Sequence, residues 1–436
     1  MPKLCIITLG CPKNTVEGEK IAGMLDNCGW TLSADISKCD AALIHTCSFI
    51  KDAKDESISV IKKLSGLRKR GGLQKVVVTG CLAQEYGKRL FNEFPQVDAV
   101  VGTGSLDKLP FVMSGGSDFE CGKPGGLLES AYPRLLSSGL PTAYLRIAEG
   151  CGHKCAFCVI PKLRGAYKSR KIENIVSECK ALVSAGIKEA VLIAQDTTLY
   201  GNDIYGKPSL PDLLKRLSKV RGIEWLRILY AYPDTVSDEL LETMARGPKI
   251  CKYLDIPLQH ASDSVLKRMR RKGGVRKLLE KIKTRVPGIA LRTTFIVGFP
   301  GETEAEFEEL RAIVAEGWFE HAGVFEYSSA SSADRPACKA LEGKPVPEHL
   351  KRARKKELML AQKKVVRLNN ASHTGRIYKV LIESYDINKK IFTGRTYFQA
   401  SEIDGITCIK GKCRVGQIQD VKITGYSGYD LMGKSL

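Results

Sequence analysis

Glu149-Gly-Cys-Gly-His-Lys-Cys-Ala-Phe-Cys158 sets three cysteines, Cys151, Cys155 and Cys158, in a Cys-x3-Cys-x2-Cys spacing. A structural zinc site takes four ligands and usually repeats a Cys-x2-Cys pair. No fourth Cys or His follows here at a suitable distance, so a zinc knuckle fits poorly. Three thiolates can hold three irons of a cubic 4Fe-4S cluster and leave the fourth iron open. A fully ligated cluster only carries electrons, whereas an open iron can bind a substrate or cofactor. Gly150 and Gly152 suit a loop wrapping closely round such a group.

The stretches on either side of this loop give the fold its expected form. A strand over 142–148 runs straight into it, and the chain then alternates. Helices are expected at 172–185, 210–220, 237–246, 262–285 and 303–316, with strands at 189–194, 225–230, 252–256, 289–297 and 322–326. Six strands with intervening helices form a partial (βα)6 barrel, whose active site belongs at the strand carboxyl ends. Polar residues gather there: Gln195-Asp196-Thr197; Tyr230-Ala-Tyr232-Pro233, with Arg227 inside the strand; Gln259-His260; and Phe295 to Thr303. Gly298 and Gly301 allow backbone approach to a ligand, and Thr303 can cap the next helix. His260, a lone histidine, reads as structural.

Residues 1 to about 110 repeat apolar strand, cysteine, helix three times, at Cys11, Cys47 and Cys81. The intervals of 36 and 34 residues are one βα unit each, and such units build a parallel sheet whose strand ends share one crevice. Three cysteines distant in sequence can therefore converge. Cys5, Cys28 and Cys39 lack that setting and read as structural. Residues 111–140 are a turn-rich connector. Beyond the barrel, 348–368 is a basic helix carrying Lys351, Arg352, Arg354, Lys355, Lys356, Lys363, Lys364 and Arg367, read as either a solvated linker or an RNA contact. Short strands over 376–382, 390–393 and 420–424 then suggest a small closed β-barrel of OB-like size. The chain is thus α/β and multidomain: 1–112 a parallel α/β domain, 113–140 a linker, 141–365 the barrel, and 366–436 the β-barrel.

Composition narrows the partners. The 436 residues carry a net charge of +20, which is unevenly placed. Residues 251–300 hold twelve basic against three acidic residues and 351–400 thirteen against three, while 301–350 hold four against eleven. Such concentration points to a nucleic-acid or ribosome-facing surface. No apolar run approaches a membrane span, and the N-terminus reads as a buried strand rather than a signal peptide, so no membrane is involved and a cytoplasmic protein is expected.

Together these features resemble the methylthiotransferase family of radical S-adenosylmethionine (SAM) enzymes, over essentially the whole chain. The 151–158 spacing is similar to the radical SAM signature, in which the amino and carboxylate groups of SAM chelate the open iron. One electron then cleaves SAM to a 5′-deoxyadenosyl radical. Gly298-Phe-Pro-Gly-Glu-Thr303 is similar to the family's SAM-contacting segment. The resemblance implies SAM contacts at Phe157, Gln195, Asp196, Gly298, Gly301 and Thr303. It also implies two 4Fe-4S clusters, one on Cys151, Cys155 and Cys158, the other on Cys11, Cys47 and Cys81. The C-terminal barrel would be a TRAM domain.

Of two branches, one methylthiolates a tRNA adenosine and the other the β-carbon of an aspartate in ribosomal protein uS12. Leu9-Gly-Cys-Pro-Lys-Asn14, Arg227-Ile-Leu-Tyr-Ala-Tyr-Pro233, Leu254-Asp-Ile-Pro-Leu-Gln-His260 and Glu402-Ile-Asp-Gly405 are similar to the second, and the tRNA branch is the alternative. The implied partners are uS12 or the small ribosomal subunit, rRNA against the 348–368 helix and the TRAM domain, and an electron-donor protein.

Overall fold

A computed structural model of the chain describes residues 1–128, 132–139, 141–328 and 343–436. Residues 129–131 and 140 of the expected linker lie outside the described residues. The chain divides into two compact units. The first holds Met1–Gly139 and Ala148–Arg170; the second holds Leu140–Ile147, Lys171–Tyr327 and Ala340–Leu436.

The first unit is built on a parallel sheet. Its strand order is Thr31–Leu32, Lys3–Thr8, Ala41–Thr46, Lys75–Gly80, Ala99–Gly102 and Phe119–Glu120. Ala41–Thr46 is buried at every position, and Lys75–Gly80 at all but its first. Such continuous apolar, β-branched runs are what a strand covered on both faces requires. One core packs Ile44, Ile61, Val78 and Leu82. A second packs Leu4, Ile21, Leu43 and Val101. The register sets Thr8 level with His45 and Thr46 level with Gly80, so three neighbouring strands end together.

The second unit contains a six-stranded parallel sheet: Thr142–Arg146, Glu189–Ile193, Trp225–Ile228, Ile250–Asp255, Ala290–Val297 and His321–Glu326. Spatial order follows sequence order, as the partial barrel demands. The expected first strand, 142–148, is shorter: it ends at Arg146, and Ala148–Glu149 pairs instead with Lys168–Ser169. The expected helix 262–285 is two helices, Asp263–Arg268 and Val275–Arg285. Between them Arg270 takes a left-handed φ of 56° and Gly273-Gly274 turns the chain.

Helix Glu348–His373 lies against the last barrel strand and is longer than expected. Two of its eight basic residues are not outward: Lys351 donates to the Tyr327 carbonyl at 3.0 Å, and Arg354 pairs with Glu302 at 2.8 Å. The chain ends in a closed five-stranded barrel of Ile377–Asp386, Ile391–Thr396, Thr407–Lys410, Ile418–Ser427 and Asp430–Ser435.

This last barrel closes the base of the βα barrel. Arg395 bonds Glu383 within its own domain and reaches Glu189 and Thr142, the first residues of two barrel strands. Arg227 bonds Glu189 on one side and the Tyr397 carbonyl on the other. Burial alone would raise the Glu189 carboxyl, but Arg227 and Arg395 hold it down to about 2. The segment 397–405 fills the space beneath: Tyr144 donates to Glu402 and Tyr253 to Asp404, both at 2.7 Å.

Candidate active site

Cys11, Cys47 and Cys81 follow the ends of the three neighbouring strands Lys3–Thr8, Ala41–Thr46 and Lys75–Gly80. Cys11 is the N-cap of helix Pro12–Asn27. The Cys47 amide donates to Ser57 Oγ at 3.1 Å, which fixes the turn. Gly10 has φ 95°, and a Cβ there would meet Cys47 Sγ at 2.8 Å; only glycine lets the first loop pass so close to the second cysteine. Burial pushes the Cys81 thiol up to about 12 against the opposing pull of Arg164. Burial likewise raises Cys47, with the Cys11 charge adding to it.

The 151–158 loop is held at both ends: the Cys151 amide donates to the Gly165 carbonyl at 3.1 Å and the Cys158 amide to the Cys155 carbonyl at 3.2 Å. The short helix Ile160–Arg164 that follows packs Val159 and Leu163 on Cys81. Thr103 Oγ1 donates to the Leu163 carbonyl at 2.6 Å.

Arg164 is buried, and its three nitrogens face three partners. Nε lies 3.2 Å from Cys81 Sγ, Nη1 2.6 Å from Glu17 Oε1, and Nη2 2.8 Å from Asn14 Oδ1. The second Glu17 oxygen lies 3.0 Å from His45 Nε2. Sequence reasoning missed Arg164 and Glu17 because a salt bridge across 147 residues leaves no local pattern.

The donor sets can be tested against a four-iron cluster. Among the described residues no group of three or more His, Cys, Asp and Glu is set closely enough to hold a single metal ion. A cube of irons carries its thiolates on separate corners, farther apart than the ligands of one ion. Three cysteines on neighbouring strand ends, all-sulfur and partly or fully sheltered, fit that demand, as does the three-cysteine loop.

In the second unit the strand carboxyl ends carry the remaining candidates. Asp196 is buried, and its Oδ1 accepts the Thr198 amide at 2.9 Å, the Thr198 hydroxyl at 2.6 Å and the Leu199 amide at 3.1 Å. Its carboxylate therefore shapes the turn that presents half-buried Gln195. At Gly298 the φ is 73°, and the Gly298 and Phe299 amides both donate to Glu302 Oε2, at 2.7 and 3.1 Å. The Gly301 amide donates to the Lys344 carbonyl at 2.9 Å. Thr303 closes a capping box with Glu306 on helix Glu304–Ala315.

Two residues of the strand-end loops also carry an unusual backbone. Tyr230 and Gln259 have φ of 59° and 73°, left-handed values that bulky residues adopt only when their surroundings impose them. The Tyr230 amide donates to Asp255 Oδ2 at 3.0 Å, and its carbonyl accepts the Thr197 amide at 3.1 Å. Both lie just beyond the carboxyl ends of adjacent strands, Trp225–Ile228 and Ile250–Asp255.

The arrangement defines a class before it defines a member. The Radical SAM superfamily model matches residues 145–313, the Uncharacterized protein family UPF0004 model residues 3–102, and the TRAM domain model residues 374–436. A radical SAM methyltransferase, TsrM from Kitasatospora setae, superposes with a TM-score of 0.55 over 79% of each chain at 14% identity, a likeness of fold alone.

Closer relatives are full-length. The ribosomal protein uS12 methylthiotransferases RimO of Thermoanaerobacter sp. and Pelotomaculum thermopropionicum are 44% and 41% identical to this chain. The alignments span 100% of it and 100% and 99% of theirs. The chain belongs to the RimO family of methylthiotransferases.

Proposed function

We propose that this chain inserts a methylthio group at the β-carbon of an aspartate in ribosomal protein uS12. The reading is supported above all by the two three-cysteine sets within one unit, on a chain similar over its full length to uS12 methylthiotransferases. Cys151, Cys155 and Cys158 are assigned to one 4Fe-4S cluster and Cys11, Cys47 and Cys81 to a second. When bound, the clusters and SAM supply the radical that takes hydrogen from an unactivated carbon and the sulfur that replaces it. An unactivated C–H has no proton that a side-chain base can remove, so the chain needs no general base.

Its own residues bind and orient. Phe157 lies beside the last cysteine to flank the adenine of SAM. Gln195, presented by the Asp196 turn, and the Gly298, Gly301 and Thr303 turn are assigned to the rest of SAM. The work is cytoplasmic and draws on an electron-donor protein. Helix Glu348–His373 and the TRAM domain face rRNA when uS12 sits in the small subunit.

Two measurements test this. Cys155→Ala is expected to lose 5′-deoxyadenosine formation with loss of that cluster; formation that survives confirmed cluster loss overturns the cysteine assignment. Mass spectrometry of a deletion strain is expected to show uS12 without its methylthio group. A loss confined to tRNA assigns the chain to adenosine modification instead.

A further inference from the structure

We propose that Arg164 is a positioning residue for the N-terminal cluster, directing an N–H···S hydrogen bond at Cys81 that raises the cluster's reduction potential. The proposal rests on the assignment of Cys11, Cys47 and Cys81 as cluster ligands. Its own evidence is the orientation of the guanidinium. An arginine and a carboxylate frequently pair through two parallel bonds. Arg164 does not: Glu17 gives it one oxygen at 2.6 Å and spends the other on His45. Asn14 takes Nη2, and Glu149 lies 3.7 Å from Nη1. The remaining edge, Nε–H, points at Cys81 Sγ from 3.2 Å.

Each partner removes one rotational freedom, so the donor is aimed before any cluster is present. Arg164 also lies six residues beyond Cys158, at the end of the helix packed on Cys81 by Val159 and Leu163. The same short segment that closes one cysteine loop thus donates to a ligand of the other. A hydrogen bond to a cluster sulfur and a nearby positive charge both stabilise the reduced, more negative cluster, and both raise its potential.

The test uses the full chain with Cys151, Cys155 and Cys158 changed to Ala, so that one cluster alone is reconstituted and titrated by EPR. In that background Arg164→Gln is expected to move the reduction equilibrium at least tenfold toward the oxidised form, which is 59 mV for a one-electron couple. Arg164→Lys, which keeps the charge but not the fork, is expected to fall between. Glu17→Gln is the control: it loosens the network without removing the donor and is expected to lower the melting temperature with a smaller change in potential. An unchanged potential in Arg164→Gln overturns the proposal. Where Arg164→Gln loses its iron, the potential of Arg164→Lys decides: a value below the parent's sustains the proposal, and an equal value overturns it. A parent that binds no iron overturns the ligand assignment itself, and the proposal with it.

Discussion

His260 shows how a single buried ring makes the fold sensitive to acid. Its Nδ1 accepts the Ser262 amide at 3.0 Å, and its Nε2 lies 3.8 Å from Glu302, which Arg354 and two amides already occupy. Burial pushes the ring down to about 3, so the folded chain holds it neutral where the unfolded chain protonates it, below about pH 6.5. Between those values the unfolded state binds the extra proton, and stability falls as pH falls. From pH 6.5 to 5 the loss is about 2 kcal/mol, and denaturant midpoints taken across that range are expected to show it. His260→Gln is expected to flatten the dependence. The sequence offered only a lone histidine on a strand-end loop; its neighbours come from three segments, and no local pattern announces them.

At the scale of elements, the turn from Gly298 to Thr303 carries two jobs that one motif disguised. A Cβ on Gly298 would meet Lys351 Cγ at 2.3 Å, so Gly298→Ala is expected to lower the melting temperature even without SAM. Thr303→Ala removes the capping box and is expected to cost about 1 kcal/mol. SAM affinity measured on both variants separates a turn former from a ligand contact, because a pure cap leaves it unmoved. The sequence made the turn legible through its glycines and its Thr-x-x-Glu spacing. It did not make legible where the amides go, since Glu302 lies within the motif and reads as one more acidic residue. The helix break was signalled by Arg270-Arg-Lys-Gly-Gly274, which holds no apolar residue, whereas the barrel strand Thr407–Lys410, at four residues, is too brief for a period. The strand-end cysteines were legible because a βα repeat is itself a length.

At the scale of the whole molecule, Arg395, Arg227, Glu189 and Glu383 form a charge cluster buried at the base of the βα barrel. Breaking such a group by removing one partner costs about 3–5 kcal/mol, because the others stay buried and unbalanced. Arg395→Met is therefore expected to lower the melting temperature sharply while leaving the iron content of freshly purified protein unchanged. Burial of these charges could not be read from the sequence, where Arg227 and Arg395 lie 168 residues apart among many exposed basic residues. The floor of the barrel has a further consequence for how this chain can be rebuilt. Its C-terminal domain is not a cartridge: one grafted from a distant relative would arrive with its own residues opposite Glu189, Tyr144 and Tyr253. Chimeras that exchange the catalytic barrel and the small barrel together should fold, whereas those that exchange only one should fail at the seam.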